Sequence, residues 1–254
     1  MPVPRLVGLQ DGPATITLVR HGESVGNLAD AEAHRQHAER LDLDARDADV
    51  ELSDTGHKQA DALRRWLQTA GEDDLPTVVV SSPYRRAADT ALRAVDGLGL
   101  DVLFDERLRE RGLGIFDGLT GAGIRRTYPE EAERRRKLGK FYYQPPSGES
   151  WADVVLRVRS LLGDLRHGFD GARVWMFSHQ AVIMSFRYVL EGLDEQRLLE
   201  IDRTSNLGNV SLTTYERRAG DLELTGFADT SIVDAADADV TREPSVNEDG
   251  SAGD

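Results

Sequence analysis

Three short apolar runs along the chain share one form. In each, β-branched and aliphatic residues stop at polar side chains, and a helical pattern follows. The first is Thr15-Ile16-Thr17-Leu18-Val19, which ends on Arg20-His21 before Gly22. Such residues suit a pleated, buried surface, and glycine breaks it. The second is Thr77-Val78-Val79-Val80, which ends Ser81-Ser82-Pro83. A helix is predicted over 84–95, with Pro83 suited to its first turn. The third is Arg173-Val174-Trp175-Met176-Phe177, which ends Ser178-His179 before an apolar helix over 181–190.

Other elements fall between these units. A helix is predicted near 28–40. Another starts at 54, capped by Ser53 or Asp54, with Ala60, Leu63, Leu67 and Ala70 on one face and Trp66 alongside. A short strand near 101–104 precedes a loop over 112–123 that contains five glycines and is expected to line a cleft. Residues 124–140 form a charged helix in which Arg134-Arg135-Arg136-Lys137 is a solvated face or steers anions. An amphipathic helix begins at 149–151 and buries Val154, Val155, Val158, Leu161, Leu162 and Leu165. Runs near 209–216 and 221–227 make a hairpin around Arg218-Ala219-Gly220. Repeated strand–helix alternation predicts an α/β fold, a three-layer α/β/α sandwich with a mostly parallel central sheet.

Composition narrows the picture. With 254 residues and 39% hydrophobic content the chain can bury a substantial core. It has no cysteine, which excludes disulfides, thiolate metal sites and a cysteine nucleophile. The net charge of −14 argues against nucleic-acid binding. No run approaches a membrane span and the N-terminus lacks the apolar core of a signal peptide, so a cytoplasmic protein is expected. Residues 1–13 are an extended lead-in, 14–228 a single domain, and 229–254 an acidic tail expected to be disordered, or alternatively a partner-binding or autoinhibitory arm.

The strand ends carry the candidate chemistry. In a parallel α/β sheet, ligands bind beyond the carboxyl ends of the strands. Arg20-His21, the segment 81–86 and Ser178-His179 would converge there. Arg85 and Arg86 fall in the first turn of a helix, where positive charge is locally unfavourable unless an anion is held nearby. The guanidinium offers a planar fork to phosphate or carboxylate oxygens. The imidazole is a nucleophile or proton carrier near neutral pH. His34 and His37, three apart without a third ligand, are read as a solvated helix face, and no metal or cofactor is expected.

Four ordered blocks then resemble the histidine phosphatase superfamily, in the branch that also holds the cofactor-dependent phosphoglycerate mutases. They are Leu18-Val19-Arg20-His21-Gly22-Glu23-Ser24 with Asn27, Ser81-Ser82-Pro83-Tyr84-Arg85-Arg86-Ala87 with Thr90-Ala91, Leu108-Arg109-Glu110, and Phe177-Ser178-His179. The resemblance covers roughly 14–228 and implies the phosphoglycerate mutase-like fold. It also implies a phosphohistidine on His21, a general acid–base at Glu110, and phosphoryl binding by Arg20, Arg86 and His179. Gly22, Asn27 and Gln180 would add substrate contacts. Gln180 stands where the family commonly has glycine, and 28–50 is unlike the mutase pattern. The stretch 141–150 is similar to phosphatase-like members. The expectation is metal-independent hydrolysis of a small-molecule phosphomonoester. The alternatives are a mutase-type phosphotransferase and a non-catalytic phospho-ligand-binding module. Substrate identity and oligomeric state are left open.

Overall fold

The computed structural model describes residues 12–205, 207–236 and 238–242. In chain order these carry β1 (Thr15–Arg20), α1 (Val25–Arg35), α2 (Asp54–Thr69), β2 (Val78–Ser81), α3 (Arg85–Ala94), β3 (Val102–Phe104), α4 (Gly121–Thr127), α5 (Pro129–Leu138), α6 (Trp151–Gly168), β4 (Arg173–Ser178), α7 (Gln180–Glu191), α8 (Glu195–Thr204), β5 (Leu212–Arg218), β6 (Asp221–Asp229) and α9 (Ser231–Ala235).

The described strands form one sheet in the order β3-β2-β4-β1-β5-β6. β3, β2, β4 and β1 are parallel, and β5 and β6 continue the sheet antiparallel. The pleat's period of two explains the layering. Ile16 and Leu18 of β1 and Val174 and Met176 of β4 face one core with α6 and α7. Val19 of β1 and Trp175 and Phe177 of β4 face the other, with Leu63 and Leu67 of α2 and Ala91 and Ala94 of α3. β1 and β4 are therefore apolar on both faces, as central parallel strands must be. Fully burying a side chain such as Leu18 contributes about 1.5–3 kcal/mol, so this alternation fixes which residues reach the strand ends.

Local chemistry sets the boundaries. Ser53 caps α2 by accepting from the Gly56 N–H. Ser150 caps α6 in a reciprocal capping box with Asp153. The predicted helix over 124–140 is two helices, α4 and α5. Pro129 occupies the first position of α5 and disfavours helical backbone at Tyr128, which ends one helix and begins the other. Pro83 lies outside its predicted helix, because α3 begins after Tyr84. Of the acidic stretch beyond 229 expected to be disordered, residues 230–236 and 238–242 are described, and Ser231–Ala235 form α9. Val233 is buried, and Ile232, Ala238 and Val240 pack on the core beside α2 and α3. Residues 243–254, and 1–11 of the lead-in, lie outside the described residues.

Candidate active site

β1 and β4 run side by side with Arg20 opposite Ser178, so Arg20-His21 and Ser178-His179 leave the sheet at the same level. The His21 N–H donates to the Ser178 carbonyl at 3.0 Å, which locks the two strand ends together. The two imidazoles meet with ring centroids 5.1 Å apart. β2 delivers Ser81-Ser82 beside them, and Ser82 Oγ lies 2.9 Å from His179 Nε2. Tyr84 packs edge-on against His179 at 5.5 Å. Arg86 lies over the Tyr84 ring at 5.4 Å. Arg20, His21, Arg86 and His179 are all buried. The helices that start here, α3 and α7, have no side-chain cap, so their free N–H groups add to an electropositive pocket.

The tautomer of His21 follows from its partner. Nδ1 lies 2.8 Å from the Gly22 carbonyl oxygen, which only accepts. Nδ1 therefore carries the proton and the Nε2 lone pair is free to act as a nucleophile. Burial, then the positive charges of Arg86 and Arg20, hold the His21 pKa well below the ordinary value against the opposing pull of the Gly22 carbonyl. Burial, then Arg86, His21, Arg157 and Arg20, do the same to His179. The site thus sets two imidazoles of lowered pKa beside two guanidiniums, an arrangement suited to an anion.

The arginines are braced differently. Arg20 Nη1 donates to the Leu207 carbonyl. Arg86 Nη1 donates to the Asp47 carbonyl at 2.6 Å and pairs with the Asp47 carboxylate at 2.9 Å. Arg85 points outward to Glu51 and Asp89. Glu110 is half-buried at the site's border, where its charge helps raise the Tyr84 pKa after burial and Asp47. Its Oε1 accepts from the Arg111 N–H at 2.8 Å. Its carbonyl accepts from Arg157, which with Arg109 is paired to Glu149.

Three residues expected to touch substrate have structural engagements. The Gly22 N–H donates to Thr90 Oγ1 at 3.0 Å. A Cβ on Gly22 would lie 2.8 Å from the Gly56 carbonyl oxygen, so the glycine allows a close backbone approach. Asn27 Oδ1 closes the capping box of α1 with the Ser24 N–H. The Gln180 side chain turns to Asp202 of α8 at 3.1 Å. Sequence reasoning missed Ser82 as the partner of His179, Asp47 as the partner of Arg86, and the hold that Gln59, Thr90 and Asn209 have on the backbone of 21–23. Ser81-Ser82 stands at a strand end and Thr90 in the block that follows it, but their partners, like those of Asp47, Gln59 and Asn209, lie at sequence separations that no local pattern spans. Among the described residues no group of three or more His, Cys, Asp or Glu side chains is arranged to hold a metal. No described helix is long and apolar enough to cross a membrane.

Several known proteins are similar to this chain. A bifunctional protein of Mycobacterium tuberculosis is 33% identical over 194 residues, 74% of this chain and 47% of the relative. A 6-phosphofructo-2-kinase/fructose-2,6-bisphosphatase of Caenorhabditis elegans is 32% identical over 172 residues, 67% of this chain and 33% of the relative. The chain thus spans half or less of these curated relatives. A solved mycobacterial glucosyl-3-phosphoglycerate phosphatase in complex with inorganic phosphate superposes with a TM-score of 0.67 at 27% identity, covering 87% of this chain and 99% of that one. The family model described as histidine phosphatase superfamily (branch 1) matches residues 16–230, and the chain belongs to that superfamily.

Proposed function

We propose that this protein hydrolyses phosphomonoesters of small metabolites through a phosphohistidine on His21. The observation that carries the reading is the buried pair of neutral imidazoles between Arg20 and Arg86, with the Nε2 atom of His21 left unprotonated by the Nδ1–Gly22 bond. Nε2 attacks phosphorus, and the ester P–O bond breaks with its electron pair going to the departing oxygen. Glu110, in its protonated form, supplies the proton that oxygen needs. Water then attacks the phosphohistidine and gives its proton to Glu110, and the P–N pair returns to His21. Arg20, Arg86, His179 and the starts of α3 and α7 stabilise the three equatorial oxygens as charge spreads over them. General acid–base help of this kind is typically worth roughly 10²–10⁴ in rate. Relatives and neighbours that carry phosphatase names support hydrolysis over mutase transfer and point to a small phosphorylated substrate.

The test is phosphate release from an aryl phosphate and a panel of metabolite phosphates, with EDTA present and His21→Ala run beside the wild type. Turnover that survives the chelator and is abolished by the substitution is expected. Release retained by His21→Ala would mean that another group is the nucleophile.

A further inference from the structure

The peptide groups around His21 are held by side chains from remote parts of the chain. The Glu23 N–H donates to Gln59 Oε1 at 2.8 Å. The His21 carbonyl accepts from Asn209 Nδ2 at 3.0 Å. Both amides are buried, so each needs a partner for its other end. Those partners come from one short segment of the acidic tail. Gln59 Nε2 donates to the Asp239 carbonyl at 2.7 Å and to Thr241 Oγ1 at 2.9 Å. Thr241 Oγ1 donates to Asn209 Oδ1 at 3.0 Å. The Asn209 N–H donates to the Thr241 carbonyl at 2.9 Å.

The polarity of this network is fully determined. A Glu23 N–H turns the oxygen of Gln59 towards the loop, so its NH2 must find acceptors behind. A His21 carbonyl turns the NH2 of Asn209 towards the loop, so its oxygen must find a donor behind. The Thr241 hydroxyl accepts from one amide and donates to the other, and a hydroxyl can do both at once. Val240 anchors the segment: a Cβ on Gly208 would lie 3.2 Å from Val240 Cγ1, and Ala238 and Val240 pack on the core cluster that includes Val210 and Val233. The segment carrying Asn209 also binds the catalytic strand end, since Val210 N–H donates to the Arg20 carbonyl at 3.1 Å and the Leu207 carbonyl accepts from the Arg20 guanidinium.

We propose that residues 238–241 are a strap that positions the nucleophile: Thr241 fixes the orientation of Gln59 and Asn209, and through them the backbone of His21 to Glu23. Without the hydroxyl, both buried amides lose a partner or turn over. A turned Gln59 would set its NH2 against the Glu23 N–H, and a turned Asn209 would set its oxygen against the His21 carbonyl. Either movement shifts the imidazole relative to the guanidiniums. The inference rests on His21 being the nucleophile.

The test uses the full chain with Thr241→Val, Thr241→Ser and Val240→Asp. Turnover of p-nitrophenyl phosphate gives kcat and KM, and hydrogen exchange reports the Glu23 amide. A small displacement of a reacting group costs on the order of tenfold in kcat. Thr241→Val is expected to lose about that much, with KM within about twofold and faster Glu23 exchange. Thr241→Ser keeps the hydroxyl and should restore both. Val240→Asp, which frees the strap, should match Thr241→Val; should it not fold, the valine–serine pair decides alone. Wild-type kcat and Glu23 exchange in Thr241→Val would overturn the proposal, as would a kcat loss that Thr241→Ser shares. Should the wild type itself show no turnover, the phosphatase reading fails and the Glu23 exchange decides the strap by itself.

Discussion

Replacing Arg86 with glutamine tests the electrostatic design of the pocket most directly. Arg86 is 6% exposed, and both of its bonds to Asp47 leave from Nη1. The Nε–Nη2 edge makes no hydrogen bond to a described residue and matches the spacing of two phosphoryl oxygens. Hydrogen bonds to charged groups contribute about 1.5–3 kcal/mol each. Losing the pair, with one weaker neutral bond regained from the amide, removes about 3–4 kcal/mol of transition-state stabilisation, or 10²–10³ in kcat. A second signature accompanies the first. After burial, the charge of Arg86 is the largest influence that lowers the pKa of His21 and of His179. Removing it raises both, so the acid limb of the kcat/KM profile moves to higher pH. The assay is steady-state hydrolysis of an aryl phosphate between pH 4 and 9. A variant within tenfold of wild type whose acid limb has not moved would refute the placement of Arg86 in the phosphoryl pocket.

Three further outcomes are expected. Gly56→Ala puts a Cβ 2.0 Å from the Glu23 carbonyl oxygen and should cost about 3 kcal/mol or more together with activity, whereas Gly163→Ala in α6 meets nothing within 4 Å and should stabilise by about 0.5–1 kcal/mol; urea denaturation of the pair checks both. Glu149→Ala removes the acceptor of Arg109, of Arg157 and of the Gly112 N–H, leaving the nearly buried Arg157 without its carboxylate, and should lower stability by about 3 kcal/mol in the same assay, while Glu149→Gln retains part of it. The folded-state pKa values of His21 and His179 lie below that of unfolded histidine, about 6.5, so between these values the unfolded chain binds more protons and stability rises with pH; the urea midpoint should be lower at pH 5.5 than at pH 7.5, and a His179→Gln variant whose pH slope equals that of wild type would show that His179 contributes nothing to it.

Much of this architecture is legible in the sequence because its signals are local. A run such as Val174 to Phe177, short, apolar on both faces and rich in β-branched and aromatic residues, reads as a central strand, and a polar pair behind it marks the strand's end. Arg20, His21, Arg86 and His179 are brought together because three such ends converge. The split at Tyr128 was obscured by charge: α5 buries no described residue, so no apolar period marked its limits, and Pro129 was the sole clue. The docked part of the tail escaped notice because Val233 and Val240 are too sparse to form a pattern against their acidic neighbours. The resemblance implies substrate contacts for Asn27 and Gln180. A capping-box partner three residues after Ser24 is equally legible, and gives Asn27 a role in starting α1.

The loop that carries His21 draws side-chain support from distant parts of the chain. Its peptide groups are held by Gln59, Thr90 and Asn209, whose bonds span 36, 68 and 188 positions respectively. Contacts of such range close late in folding, since the chain between them must be ordered first. A nascent or partly folded chain that ends before residue 209 holds His21 yet lacks one of these three side-chain grips. Competence for the proposed hydrolysis thus depends on residues far along the chain from His21: in refolding, recovery of turnover should trail recovery of tryptophan fluorescence, and a bare Arg-His-Gly peptide carries none of the proposed chemistry.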